Sequence, residues 1–159
     1  MAGEGEKTVK RWVPMPPTYF WSAIVLMVAF HFLCPGVKGL VPRPYNWIGG
    51  AIVVVAGIAL AWLPELQFKR VGTEIKPFRD SSHLVTDGLF RISRHPMYLG
   101  MALVLVGVFV VLGSLVPAIM IPVFVVVITF RFIVPEERDM ERQFGEKYME
   151  YRRRVRRWI

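Results

Sequence analysis

Arg91-Ile92-Ser93-Arg94-His95-Pro96-Met97-Tyr98-Leu99-Gly100 is where a polar segment gives way to a long apolar run. Proline is tolerated in the first turn of a helix, where its missing N–H has no partner to lose. Pro96 therefore marks a helix start, and the pattern predicts a span over residues 96–112. Gly113-Ser114 predicts a tight turn. A further apolar run, 115–134, predicts the return span, with Pro117 and Pro122 as kinks and Pro135 as its breaking point. Upstream, residues 18–33 and 47–63 read as two earlier spans, the second open to continuation past Pro64 to Arg70. Each approaches the ~20 apolar residues that cross a bilayer core. Cys34-Pro35-Gly36 ends the first of them.

Composition agrees. Hydrophobic residues are 54% of the 159 and the mean hydropathy is +0.43, above the roughly 45–50% apolar content of soluble domains. The expected fold is an all-α integral membrane protein, with about four transmembrane helices and a C-terminal amphipathic helix, forming one domain over 1–159. Residues 1–70 hold the first two spans; 71–159 hold a loop, a helical hairpin and the last helix. No small-residue cleavage site follows the first apolar run, which predicts a retained span. Net charge is +8, and four spans put every one of the 20 basic residues except Lys38 and Arg43 on one side. The positive-inside rule makes that side, with both termini, cytoplasmic. It accounts for the charge better than a nucleic-acid partner does. A single cysteine, Cys34, excludes an intrachain disulfide.

The polar residues cluster on the same side. Residues 71–94 form a polar loop of a length that is often functional. Arg131 lies near the end of the fourth span, where a charge is costly unless it is paired, faces a cavity or snorkels to the headgroups. Glu136 or Glu137 is its expected partner. His95 sits at the mouth of the third span and could equally cap that helix. Met140, Phe144, Tyr148, Tyr151 and Val155 recur at spacings of three or four, an apolar stripe suited either to the membrane surface or to a protein core. Gly49 and Gly57 share a helix face and predict close helix packing. His31, His83 and His95 have no ligand spacing, so no metal site is expected. Residue chemistry alone reaches a membrane protein with a cytoplasmic polar site.

Longer motifs add a resemblance. Leu84-Val85-Thr86-Asp87-Gly88-Leu89-Phe90, Arg94-His95-Pro96-Met97-Tyr98-Leu99-Gly100, Glu136-Glu137 and Phe144-Gly145-Glu146-Lys147-Tyr148-Met149-Glu150-Tyr151 together resemble the isoprenylcysteine carboxyl methyltransferase family, which is related to the phospholipid N-methyltransferases. The resemblance covers roughly residues 70–157 with order and spacing kept. It implies a membrane enzyme that uses S-adenosyl-L-methionine without a Rossmann domain. Carried over, the implied cofactor-binding residues are Ser82, His83, Leu84, Val85, Phe90, His95, Pro96, Met97, Tyr98 and Glu136. Arg131 is the implied catalytic and substrate-binding residue. The chain departs from the family in having Phe90 where a tyrosine is usual.

The implied substrate is a lipophilic carboxylate drawn from the bilayer, with membrane lipids as the other partners, no nucleic acid, and an open oligomeric state. A carboxylate acceptor needs only an orienting cation. An amine acceptor, as on phosphatidylethanolamine, must lose a proton and would want His95 or Glu137 as base. Behind these two stand a reductase using NADPH, from a similar Arg-His-Pro-x-Tyr-x-Gly end in sterol reductases, and a non-enzymatic tetraspan scaffold.

Overall fold

The computed structural model describes residues 15–34, 36, 39, 42–71 and 84–159. Among these the chain is helical: α1 (Pro16–Leu33), α2 (Tyr45–Val71), α3 (Pro96–Leu112), α4 (Met120–Ile128), α5 (Val134–Phe144) and α6 (Glu146–Arg154). Three helical segments are long and apolar enough to cross a membrane: Pro16–Leu33, Tyr45–Pro64 and Val116–Phe144. α3 is equally apolar but has 17 residues, about 26 Å at 1.5 Å per residue. This is a multi-pass membrane architecture. Its outward surfaces carry Trp21, Val25 and Phe32 on α1, Ile52, Val55 and Trp62 on α2, and Val123, Val126 and Phe130 in the last long segment. A water-facing surface would not present such faces.

α3 stands at the centre. On one side it lies along α2, antiparallel and at glycine-seam distance. A methyl group built on Gly57 would lie 2.7 Å from the Val104 nitrogen, and one on Gly107 would lie 2.7 Å from the Val54 nitrogen. Gly50 and Gly100 complete the two reciprocal pairs, Gly50 with Gly107 and Gly57 with Gly100. Small residues let the backbones touch where lipid supplies no hydrophobic drive between helices. The seam uses Gly50, not Gly49 as expected from the sequence, because Gly49 faces open space. The working repeat is seven residues on both helices, which keeps a contact line straight along antiparallel partners. Gly100→Ala is expected to destabilise the protein by ~1–3 kcal/mol, since the new methyl meets main chain that cannot step aside. Thermal unfolding in micelles measures it, with Gly49→Ala as control; equal midpoints for the two variants would refute the seam.

On its other side α3 packs against α1 and α4. Met27, Leu105, Ile128, Phe132 and Ile133 are fully buried there, joined by Ala23, Tyr98, Ala102 and Phe124. Tyr19 meets Phe132 edge-on at 5.5 Å between ring centroids. At the end of the bundle away from the polar site, His31 Nδ1 lies 2.6 Å from Ser114 Oγ, and Asn46 Nδ2 donates to the Val111 carbonyl at 3.1 Å. These bonds tie α1, α2 and the turn after α3 together.

The fourth span differs from expectation. It opens with a 3₁₀ turn, Val116–Ile119, around Pro117, and Pro135 does not break it. Thr129–Ile133 widens into a π-helical turn, and the helix runs on through Pro135 into α5. Proline has no N–H to give the carbonyl four residues back, and its ring crowds that carbonyl. A wider turn just upstream relieves both problems, and such turns are frequent at functional sites. The expected C-terminal helix is likewise divided, at Gly145, whose φ of +54° is a conformation that favours glycine. Its apolar stripe takes the core alternative. Tyr148, Tyr151 and Val155 bury against Phe90, with Leu84, Val85, Met140 and Phe144 packed around them.

Candidate functional site

The polar site forms where the foot of α3, the start of α5 and the segment after α6 meet. Pro96 starts α3 as expected and is fully buried. His95 takes the N-cap position, yet its side chain makes no capping bond. Its backbone N–H donates instead to Ser93 Oγ at 3.1 Å. That frees the imidazole to stack on Tyr98, with ring centroids 5.9 Å apart and planes 24° from parallel. One helical turn sets the two rings side by side, because residues three apart share a face.

The acidic pair comes from α5 and divides its work. Glu136 accepts a hydrogen bond from the Tyr98 hydroxyl, 2.7 Å to Oε1. Its Oε2 lies 3.6 Å from His95 Nδ1 and makes no hydrogen bond among the described residues. Glu137 is more enclosed, its side chain 6% exposed. Arg94 Nη2 approaches Glu137 Oε1 at 3.0 Å. Arg157 closes on the same carboxylate as a fork, Nε to Oε1 at 3.0 Å and Nη2 to Oε2 at 2.6 Å. These bonds hold the Arg157 proton more tightly than usual. His95 Nε2 stands 3.5 Å from Glu137 Oε1 without hydrogen-bond geometry. It and Arg94 Nε are buried nitrogens with no hydrogen-bond partner among the described residues.

A second layer supports the first. Arg94 Nη1 reaches the Tyr148 hydroxyl at 3.4 Å, and the Tyr151 hydroxyl donates to the Phe90 carbonyl at 2.7 Å. Burial pushes both phenols up from their ordinary range, so each keeps its proton. Two carboxylates beside two guanidiniums leave the cluster near charge balance, as enclosed ions require.

The expected residues therefore separate into groups. His95, Pro96, Tyr98 and Glu136 are brought together. Met97 is half-buried beside them on α3. Leu84, Val85 and Phe90 sit in the apolar cluster under α6, one layer away across Tyr148 and Arg94. Ser82 and His83 lie outside the described residues. Arg131 is exposed on the π-helical turn. It does not pair with Glu136 or Glu137 as expected, because Tyr98 takes one carboxylate and Arg94 and Arg157 the other. Sequence reasoning gave Arg157 no place in the site. Its signal was faint: the apolar stripe ends at Val155, so the following arginines step off the helix.

A family model described as phospholipid methyltransferase matches residues 45–147. Protein-S-isoprenylcysteine O-methyltransferase B of Arabidopsis thaliana is 33% identical over 125 residues, covering 76% of this chain and 61% of that protein. Methanethiol S-methyltransferase of Pseudomonas deceptionensis is 25% identical over 169 residues, covering 94% of this chain and 63% of that one. The chain thus spans less than two thirds of the length of either relative. No solved structure gives a significant match. With its matched region running from the start of α2 into α6, and so taking in His95, Tyr98 and the acidic pair, the chain belongs to the phospholipid methyltransferase family.

Proposed function

We propose that this protein is an integral membrane methyltransferase that uses S-adenosyl-L-methionine and acts on a lipophilic carboxylate entering from the bilayer. The observation that carries the reading is Glu136. It is a half-enclosed carboxylate with one oxygen committed to Tyr98 and the other without a hydrogen bond among the described residues. That is the acceptor an ammonium group requires. Beside it stand an aromatic ring suited to a sulfonium cation and two buried nitrogens, His95 Nε2 and Arg94 Nε, that lack partners among the described residues. Glu136 and the ring suit the ammonium and the sulfonium of one compact ligand, and the Arg94 Nε donor suits its carboxylate.

When bound, S-adenosyl-L-methionine supplies an electrophilic methyl group for in-line displacement. The chain's own part is to orient and to keep water out. Glu136 would hold the ammonium group, and Tyr98 would hold Glu136. Arg131, on the lipid side, would orient an acceptor carboxylate. We also place both termini in the cytoplasm, on the division of basic residues.

A phospholipid amine is the second reading, favoured by the family's description. It needs a base, and the geometry narrows the choice. Both oxygens of Glu137 are taken by guanidiniums, which leaves His95.

Titration of the protein in micelles with S-adenosyl-L-methionine and, separately, with NADPH tests the proposal. The first is expected to bind and the second not to. Tyr98→Phe deletes one hydroxyl and is expected to weaken S-adenosyl-L-methionine by roughly tenfold, the worth of a hydrogen bond to a charged group. Binding of NADPH alone would overturn the reading. Turnover of a prenylated cysteine analogue against an amine lipid separates the two acceptors.

A further inference from the structure

After α6 the chain turns back across the foot of α3. The Arg94 N–H donates to the Arg156 carbonyl at 3.0 Å, and Ser93 Oγ donates to the Arg157 carbonyl at 3.1 Å. Trp158 packs against the core cluster that contains Tyr98. Residues 155–158 thus form a strap latched on both sides of Arg157, and its guanidinium forks onto Glu137. The groups the strap grips, Arg94 and Glu137, are the immediate chain neighbours of His95 and Glu136.

We infer that Arg157 is a positioning residue of the donor site: by clamping Glu137 from the strap, it sets the orientation of Glu136 and His95. This rests on the reading that Glu136 faces S-adenosyl-L-methionine. A fork to both oxygens fixes the plane of a carboxylate, whereas a single contact leaves it free to turn. With Arg157 gone, Glu137 keeps Arg94 at Oε1 and has His95 Nε2 only 3.5 Å from that oxygen. Its released carboxylate then turns toward the imidazole. The ring leaves its stack on Tyr98, and the Tyr98–Glu136 bond loses its support. Charge alone argues the other way. Removing a positive group beside Glu136 would favour a cationic ligand, so weaker binding in a neutral variant reports geometry.

The experiment titrates S-adenosyl-L-methionine into wild type, Arg157→Ala, Arg157→Lys, Glu136→Gln and the double variant Arg157→Ala with Glu136→Gln, with ligand-free thermal midpoints measured alongside. Arg157→Ala is expected to bind about tenfold more weakly, and Arg157→Lys, which keeps charge without the fork, to fall between it and wild type. Because Arg157 acts through Glu137 on the orientation of Glu136, its removal in the Glu136→Gln background is expected to cost less affinity than its removal from wild type. Wild-type affinity in Arg157→Ala, or losses that add in full, would make the strap purely structural and overturn the inference. The Arg157 side chain is 34% exposed, so the alanine variant is expected to fold. If it does not, Arg157→Lys decides, and wild-type affinity there overturns the inference equally. Absence of binding by wild type would instead remove the reading of Glu136, and this inference with it.

Discussion

Glu137→Ala is expected to destabilise the folded protein by ~3–5 kcal/mol, because it strips the partner from enclosed guanidiniums. Glu137 is 6% exposed at its side chain and Arg94 is 8% exposed, so neither charge is screened by bulk water. Arg94 Nε already lacks an acceptor among the described residues. Deleting the carboxylate leaves this guanidinium with the weak 3.4 Å contact to Tyr148 and the strap without its fork. Breaking a buried pair from one side costs far more than the pair contributes over an apolar substitute. Glu137→Gln keeps the shape and an acceptor oxygen but gives up the charge, and is expected to lose about half as much. Thermal and denaturant unfolding in micelles measure both. An unchanged midpoint in Glu137→Ala would show that the cluster behaves as surface charge. Lipid-facing substitutions such as Val55→Leu, remote from the cluster, serve as the baseline.

How well the sequence foretold the structure depended on the range over which each feature is determined. α3, Pro96–Leu112, was legible closely at both ends, because a local signal, the proline at its start and the turn at Gly113, sets each one. The Tyr98–Glu136 neighbourhood followed from motif order. Gly50 could not be told from Gly49 without the partner helix, since only the approach of α3 decides which glycine faces the seam. The fourth span misled because a proline in sequence reads as a stop, while a helix can pass it by widening one turn. Arg157 was hidden in a run of arginines that reads as solvated charge. Its role arises from the return of the chain after α6, which no local pattern encodes. Arg131 and Glu136 are five residues apart across the π-helical turn, and Glu136 is held by Tyr98 from α3. The expected pairing of Arg131 with Glu136 or Glu137 was not legible as wrong, because the competing partners Tyr98, Arg94 and Arg157 come from distant parts of the chain.

That mismatch sharpens what Arg131 is expected to do. It projects from the π-helical turn beside Phe130, which is 72% exposed, while Phe132 and Ile133 turn into the core. No acidic side chain among the described residues meets it, and the nearby carboxylates are held by other groups. A guanidinium at the edge of an apolar span without a carboxylate has two physical uses: it snorkels to headgroups, or it waits for a carboxylate brought by a lipophilic substrate. The second use belongs to the proposed reaction and makes a separable prediction. Arg131→Ala is expected to lower kcat/KM for a prenylated cysteine analogue by ~100-fold, about 2.7 kcal/mol of transition-state stabilisation. Arg131→Lys keeps the charge without the planar fork and is expected to lose roughly tenfold. Affinity for S-adenosyl-L-methionine is expected to stay at the wild-type value in both, because no hydrogen bond or ion pair joins Arg131 to His95, Tyr98 or Glu136. A snorkelling arginine would leave turnover intact in Arg131→Lys and nearly so in Arg131→Ala. Loss of cofactor affinity in step with turnover would instead place Arg131 in the donor site, and the carboxylate reading would lose its orienting cation.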